Sequence, residues 1–157
     1  MPIGVGRYWR PEADSTAGLR TIPGARRCVT LAQRGPWAIV TSGGRELATA
    51  RLAAVDLPIP DVLITADDVH RGKPDPEPYE RASEALGLAG SDCVAVEDAP
   101  AGIRAAKHAD MRVLAVATTH PASALDEADL ILTSVNDVAR HLADLVGRDP
   151  FDAEVPT

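Results

Sequence analysis

The amino-acid sequence predicts an α/β fold, a parallel sheet flanked by helices, and three observations carry that expectation. Short apolar runs recur along the chain: WAIVT (37–41), VLIT (62–65), CVAV (93–96), VLAVAT (113–118) and DLILT (129–133). Each is too short for a helix and is bounded by Gly, Pro or polar residues, as a buried strand is. Between the runs lie segments with apolar residues at helical spacing. Strands alternating with helices mean βαβ units, hence parallel strands joined by right-handed crossovers.

Taken in order, the first stretch, to about Thr21, lacks periodicity and carries Gly4, Gly6, Pro11 and Gly18. GARRCVTLAQRG reads as a helix, with Pro23 suited to its first turn and Gly35 as its stop. WAIVT is the first strand, and RELATARLAAVDL the next helix, its apolar face set by Leu47, Leu52 and Val55. VLIT is the second strand. DPEPYERASEALGL opens with Asp75 as a candidate N-cap and Pro76 at the first helical position, and runs to about Gly87. CVAV leads into the helix APAGIRAAKHAD. VLAVAT and DLILT follow, then a closing helix, VNDVARHLADLV, and a tail, DPFDAEVPT, expected to fray. The organisation expected is a leader over 1–22, a core over 23–148 and a tail over 149–157.

A chain of 157 residues with 45% hydrophobic and 25% charged residues can build one soluble domain. A net charge of −7 argues against a nucleic-acid surface, which needs clustered Lys and Arg. Cys28 and Cys93 cannot make a disulfide scaffold and read as reduced core residues of a cytoplasmic protein. No apolar stretch has the length of a membrane span or a signal peptide, so no membrane partner is expected. Aromatics are 3%, so aliphatic packing must build the core.

Parallel sheets place ligand groups at the carboxyl ends of their strands, and three ends carry chemistry. WAIVT finishes in Thr41 and Ser42 ahead of Gly43 and Gly44, a set of hydroxyls and backbone N–H groups suited to an anion; the same residues also serve as an ordinary helix cap. Lys73, in RGKPDPEPY, sits between Gly72 and Pro74, and three prolines stiffen the segment that presents its ammonium. The run VAVEDAPAG ends in adjacent carboxylates, Glu97 and Asp98. A cap on the following helix explains Asp98 alone but leaves Glu97 at a strand end unaccounted for. Hard cations such as Mg²⁺ take one or two carboxylates together with water and phosphate oxygens. Thr41, Lys73 and the acidic pair therefore suggest a phosphate-and-magnesium site. The histidines show no ligand spacing, Asp67 and Asp68 suit a turn, and Arg104, Lys107 and His108 suit a solvated face.

The segments WAIVTSGGRELATARL, LITADDVHRGKPDPEPY and VAVEDAPAGIRAAKHADMRVLAVATTHP resemble the haloacid dehalogenase-like hydrolase superfamily, in its sugar- and polyol-phosphatase branch. The resemblance spans roughly residues 23–135 and implies a Rossmann-like core. It further implies that Thr41, with the N–H groups of Ser42 and Gly43, holds the phosphoryl group, that Lys73 orients and neutralises it, and that Glu97 and Asp98 ligate Mg²⁺. The implied substrate is a small phosphorylated metabolite, hydrolysed through a phospho-aspartate.

One departure stands out. The family's Asp-x-Asp-Gly-Thr motif, whose first Asp attacks phosphorus, does not occur in these 157 residues. Asp14 is the only Asp before residue 56, and no strand pattern leads into it. The substrate-selecting cap is represented only by a resemblance of residues 10–24 to its exit, so the chain looks like the C-terminal two-thirds of a phosphatase. The absent strand would lie between WAIVT and CVAV, and its loss should leave unpaired edges there. IGVGRYW could fill the gap but brings no carboxylate. The competing expectation is an inactive truncated remnant or a binding module. A response-regulator receiver shares the residue types, but its acidic pair comes first and its Lys last, the reverse of the order here.

Overall fold

The computed structural model describes residue 16 and residues 18–147; Asp14, the segment IGVGRYW and the tail from 149 onward lie outside the described residues. The described residues hold five strands and five α-helices, alternating except between β4 and β5: α1 (Ala25–Ala32), β1 (Ala38–Val40), α2 (Arg45–Ala54), β2 (Val62–Ile64), α3 (Glu77–Leu86), β3 (Val94–Glu97), α4 (Pro100–His108), β4 (Arg112–Val116), β5 (Leu130–Leu132) and α5 (Val135–Val146). All strand pairs are parallel. The α/β class with flanking helices is thus the one the alternation predicts.

The strands form two sheets rather than one, in the orders β1-β2 and β3-β4-β5. The division falls between β1 and β3, where the resemblance puts a further strand. β4 is the central strand of the larger sheet, and its Val113, Leu114 and Ala115 are wholly buried. Among the described residues β3 has a neighbour on one side only, and its Val94 and Val96 remain 40% and 43% exposed while Ala95 and Glu97 are buried. The run read as buried is therefore one-faced.

The core is built from small aliphatic groups, as the scarcity of aromatics requires. Ile103, Ala105 and Ala106 of α4 pack with Ala95, Val113 and Ala115 of the sheet, while Tyr79, Met111 and Leu125 close the cluster. Small side chains let the helix approach closely, and each buried methyl or methylene adds about 0.8 kcal/mol. A second cluster joins Leu31 of α1 to Ala139 and Ala143 of α5. α2 buries no residue fully, and its expected face of Leu47, Leu52 and Val55 is only half-buried. A two-stranded ribbon offers less surface than a three-stranded sheet.

Two helix starts differ from expectation. Helix α1 begins at Ala25, after Pro23, with Gly24 as N-cap at φ 94°. A Cβ on Gly24 would lie 2.7 Å from the Asn136 backbone N, so close contact with the start of α5 selects glycine there. Helix α3 has Pro76 at its cap position, yet Asp75 still performs a capping function: its Oδ1 accepts from the Glu77 N–H at 3.0 Å.

Candidate active site

The carboxyl ends of β1 and β3 face each other across the division between the sheets, and Lys73 spans it. Its Nζ donates to the Val40 carbonyl at 3.2 Å and to Glu97 Oε1 at 2.5 Å. With 12% and 7% of their side chains exposed, Lys73 and Glu97 form a largely buried ion pair. The lysine is thus no surface residue, despite its loop position.

The loop that delivers it is held by Glu77. That carboxylate accepts the His70 N–H at 3.0 Å and the Arg71 N–H at 2.9 Å and pairs with Arg81. The His70 N–H above all, then Arg71 and Arg81, draws its pKa down to about 2. A carboxylate capping two loop amides fixes the backbone three residues before Lys73. The Lys73–Pro74 peptide is cis.

Tyr79, one turn into α3, is buried at 6% exposure and donates its phenol O–H to Glu97 Oε1 at 2.5 Å. The Lys73 ammonium also lies 5.0 Å from the centre of the Tyr79 ring, a cation–π distance. Burial first, then the Glu97 carboxylate, pushes the phenol pKa up, so the group stays a donor. Glu97 Oε1 is therefore committed to two donors. Its other oxygen, Oε2, receives the adjacent Asp98 N–H at 3.2 Å. The carboxylate rests directly on α4: a Cβ at Gly102 would come within 2.0–2.2 Å of its carbon and both oxygens.

Asp98 does not cap α4, whose cap position is Ala99 with no side-chain hydrogen bond. Its Oδ2 instead accepts from Thr119 Oγ1 at 2.8 Å, and His120 Nδ1 lies 3.0 Å from its carbonyl oxygen. The loop after β4 thus steadies the acidic pair. At the end of β1, Thr41 Oγ1 accepts the Gly43 N–H at 3.1 Å, the capping behaviour of an ordinary turn. A hydroxyl that accepts one bond keeps its own proton to donate. The Gly43 N–H is the donor in that bond.

An open cavity of about 480 Å³ gathers the predicted residues: Thr41, Ser42, Lys73, Glu97 and Asp98 all line it. A smaller one of about 160 Å³ continues past Thr41, Ser42 and Lys73 towards His70. Gly43 lines neither. Asp67 and Asp68 keep to the turn role expected: Asp68 Oδ2 accepts from Thr65 at 2.6 Å and pairs with Arg45 at 2.8 Å, and Asp67 accepts the Arg45 N–H. Arg104 and Lys107 pair with Glu127 and Asp129 on the helix surface. Sequence reasoning missed Tyr79, Glu77, Gly102, Thr119 and His120. A signal existed for two of them: a tyrosine five residues past a Lys-Pro pair in a chain nearly free of aromatics, and a glycine one turn after the acidic pair.

A divalent cation can be tested against these donors. Among the described residues no group of three or more His, Cys, Asp or Glu side chains forms a cage. Glu97 and Asp98, which both line the cavity, could supply one side of a shell. That is a poor site for an ion needing an all-protein cage. It fits Mg²⁺, which keeps its waters and binds through one or two carboxylates plus phosphate oxygens.

Hydroxyls, a lysine and an acidic pair thus gather beyond the carboxyl ends of parallel strands, where α/β proteins bind their ligands. A haloacid dehalogenase-like hydrolase profile matches residues 6–110, and the chain belongs to that family. It is 42% identical over 129 residues to hexitol phosphatase A of Escherichia coli, covering 81% of this chain and 60% of that protein. It is 47% identical over 121 residues to validoxylamine A 7'-phosphate phosphatase of Streptomyces hygroscopicus, covering 75% of this chain and 57% of that protein. The fold superposes on that of a CbbY variant from Rhodobacter sphaeroides, solved with xylulose-(1,5)bisphosphate, with a TM-score of 0.71 at 27% identity, over 78% of this chain and 58% of that one. The chain therefore spans about 60% of the length of these two phosphatases.

Proposed function

We propose that this chain carries the phosphate- and magnesium-binding part of a phosphatase for small sugar or polyol phosphates. The observation that supports this most directly is the meeting of Thr41, Ser42, Lys73, Glu97 and Asp98 around one cavity at the strand ends. In this proposal residues 23–148 act as one partial core.

The chemistry follows from charge and position. One ammonium against two carboxylates leaves the site net negative, which disfavours a phosphate dianion. Mg²⁺ held by Glu97 and Asp98 would reverse that sign and polarise a phosphoryl oxygen when bound. Thr41 donates its hydroxyl proton to a phosphoryl oxygen, and the Ser42 N–H and hydroxyl orient the group. Lys73 lines the cavity while paired with Glu97, so in this reading it neutralises phosphoryl charge without leaving its carboxylate partner. In phosphoryl transfer positioning and charge neutralisation supply most of the acceleration. The attacking group is the part these 157 residues lack, since no Asp-x-Asp-Gly-Thr occurs in them. In the proposed whole enzyme a carboxylate on a strand between β1 and β3 forms the phospho-aspartate.

That absence favours a second reading, an inactive remnant or binding module, and one experiment separates the two. Release of inorganic phosphate from a panel of sugar and polyol phosphates with Mg²⁺ is measured for the chain alone and for the chain extended at its N-terminus by an Asp-x-Asp strand. The expected result is no detectable turnover alone and turnover with the extension, abolished by Lys73→Ala. Failure of every extended form to turn over supports the binding module. Turnover by the unextended chain at ordinary rates, on the order of 1–10³ per second, would reveal an attacking group already present, with Asp14→Asn the first variant to make.

A further inference from the structure

Tyr79 plays no part in the site as outlined from the strand ends, yet it touches both of the residues that matter most there. Its hydroxyl donates to Glu97 Oε1 at 2.5 Å, and its ring faces the Lys73 ammonium at 5.0 Å. It is buried, and its place one turn into α3 is set by the Asp75 and Glu77 contacts that also hold the lysine loop.

We propose that Tyr79 is a positioning residue that fixes the rotation of the Glu97 carboxylate and so decides which of its oxygens a cation meets. This rests on the reading of Glu97 as a cation ligand. A lysine alone cannot fix that rotation: an ammonium has three donors and no preferred plane, so the carboxylate can turn about its Cγ–Cδ bond and keep the ion pair with either oxygen. A second donor from a rigid, buried ring removes that freedom. Lys73 and Tyr79 together occupy Oε1, and the missing side chain at Gly102 leaves room for the carboxylate in that orientation. Oε2, beside the Asp98 backbone, is then the oxygen left to share with the Asp98 carboxylate. Partners that orient a ligand in this way are typically worth 10- to 100-fold in metal affinity.

The test uses the full 157-residue chain and Mn²⁺ as the probe, with free Mn²⁺ counted by electron paramagnetic resonance. Tyr79→Phe removes the hydroxyl and keeps the ring, so folding and the cation–π contact persist. The expected result is that Glu97→Gln removes the binding and Tyr79→Phe weakens it about tenfold. If Glu97→Gln abolishes binding while Tyr79→Phe matches the unmodified chain, Tyr79 is only packing and the inference is overturned. If Mn²⁺ binding survives Glu97→Gln unchanged, the ligand reading of Glu97 itself falls, and this inference with it. A thermal melt of each variant accompanies the titration. A Tyr79→Phe chain that melts like the unmodified one but binds Mn²⁺ tenfold more weakly supports positioning over a structural role.

Discussion

At the scale of single residues the site is a small electrostatic network whose members cannot be removed one at a time. Lys73 and Glu97 are both largely buried, so Lys73→Met leaves a buried carboxylate with Tyr79 as its remaining side-chain donor. Breaking one side of a buried pair costs about 3–5 kcal/mol, whereas replacing both partners costs far less. Urea unfolding should therefore show Lys73→Met strongly destabilised and Lys73→Met/Glu97→Gln closer to the unmodified chain. A double variant less stable than the single would contradict the pairing. Gly102 offers a second check. Because a Cβ there would overlap the Glu97 carboxylate, Gly102→Ala must push Glu97 aside, at about 1–3 kcal/mol of overpacking. The Mn²⁺ titration should show a loss of affinity as well, an effect that a remote helix substitution of similar cost would not have.

At the scale of elements, the loop between β2 and α3 is held by carboxylates that need to be ionised. Hydrogen bonds from the His70 N–H hold Glu77 at a pKa of about 2, and those from Thr65, then Arg45, hold Asp68 there too. Both values lie below the roughly 4 of an unfolded carboxylate. A depressed folded pKa gives stability that is present above the unfolded value and lost as pH falls towards the folded one. Thermal midpoints should accordingly drop between about pH 4 and pH 2. Glu77→Gln should lower the midpoint at neutral pH and flatten that acid limb. An acid limb unchanged in Glu77→Gln would mean that other groups set it.

The whole molecule is a parallel fold interrupted where its site lies. β4 is paired on both sides, whereas β3 and the β1-β2 ribbon each present an edge without a ladder partner among the described residues. Unpaired edges open more easily and invite pairing with another chain. Amide exchange should be slowest in Leu114–Val116 and faster in Ala38–Val40 and Val62–Ile64. Adding a strand between β1 and β3 should slow exchange in Val94–Glu97 and raise the melting temperature. Equal protection of all strands in the unextended chain would show that the division between the sheets costs no stability.

Much of this was legible in the residues themselves. Five apolar runs and the amphipathic segments between them fall on the observed strands and helices within a few residues, because period and length are local properties. The strand-end rule then singled out Thr41, Ser42, Lys73, Glu97 and Asp98, all of which reach one cavity. A cap and a phosphate loop use the same residues, and only geometry shows that the Gly43 N–H points to Thr41 Oγ1. The tertiary structure decided what depends on distance across the chain: the burial of Lys73 against Glu97, the grip of Tyr79 on one carboxylate oxygen, the role of Glu77 behind the lysine loop and the support of Asp98 by Thr119. These contacts join residues on separate elements or at opposite ends of one loop, and a pattern read along the chain carries no measure of that proximity.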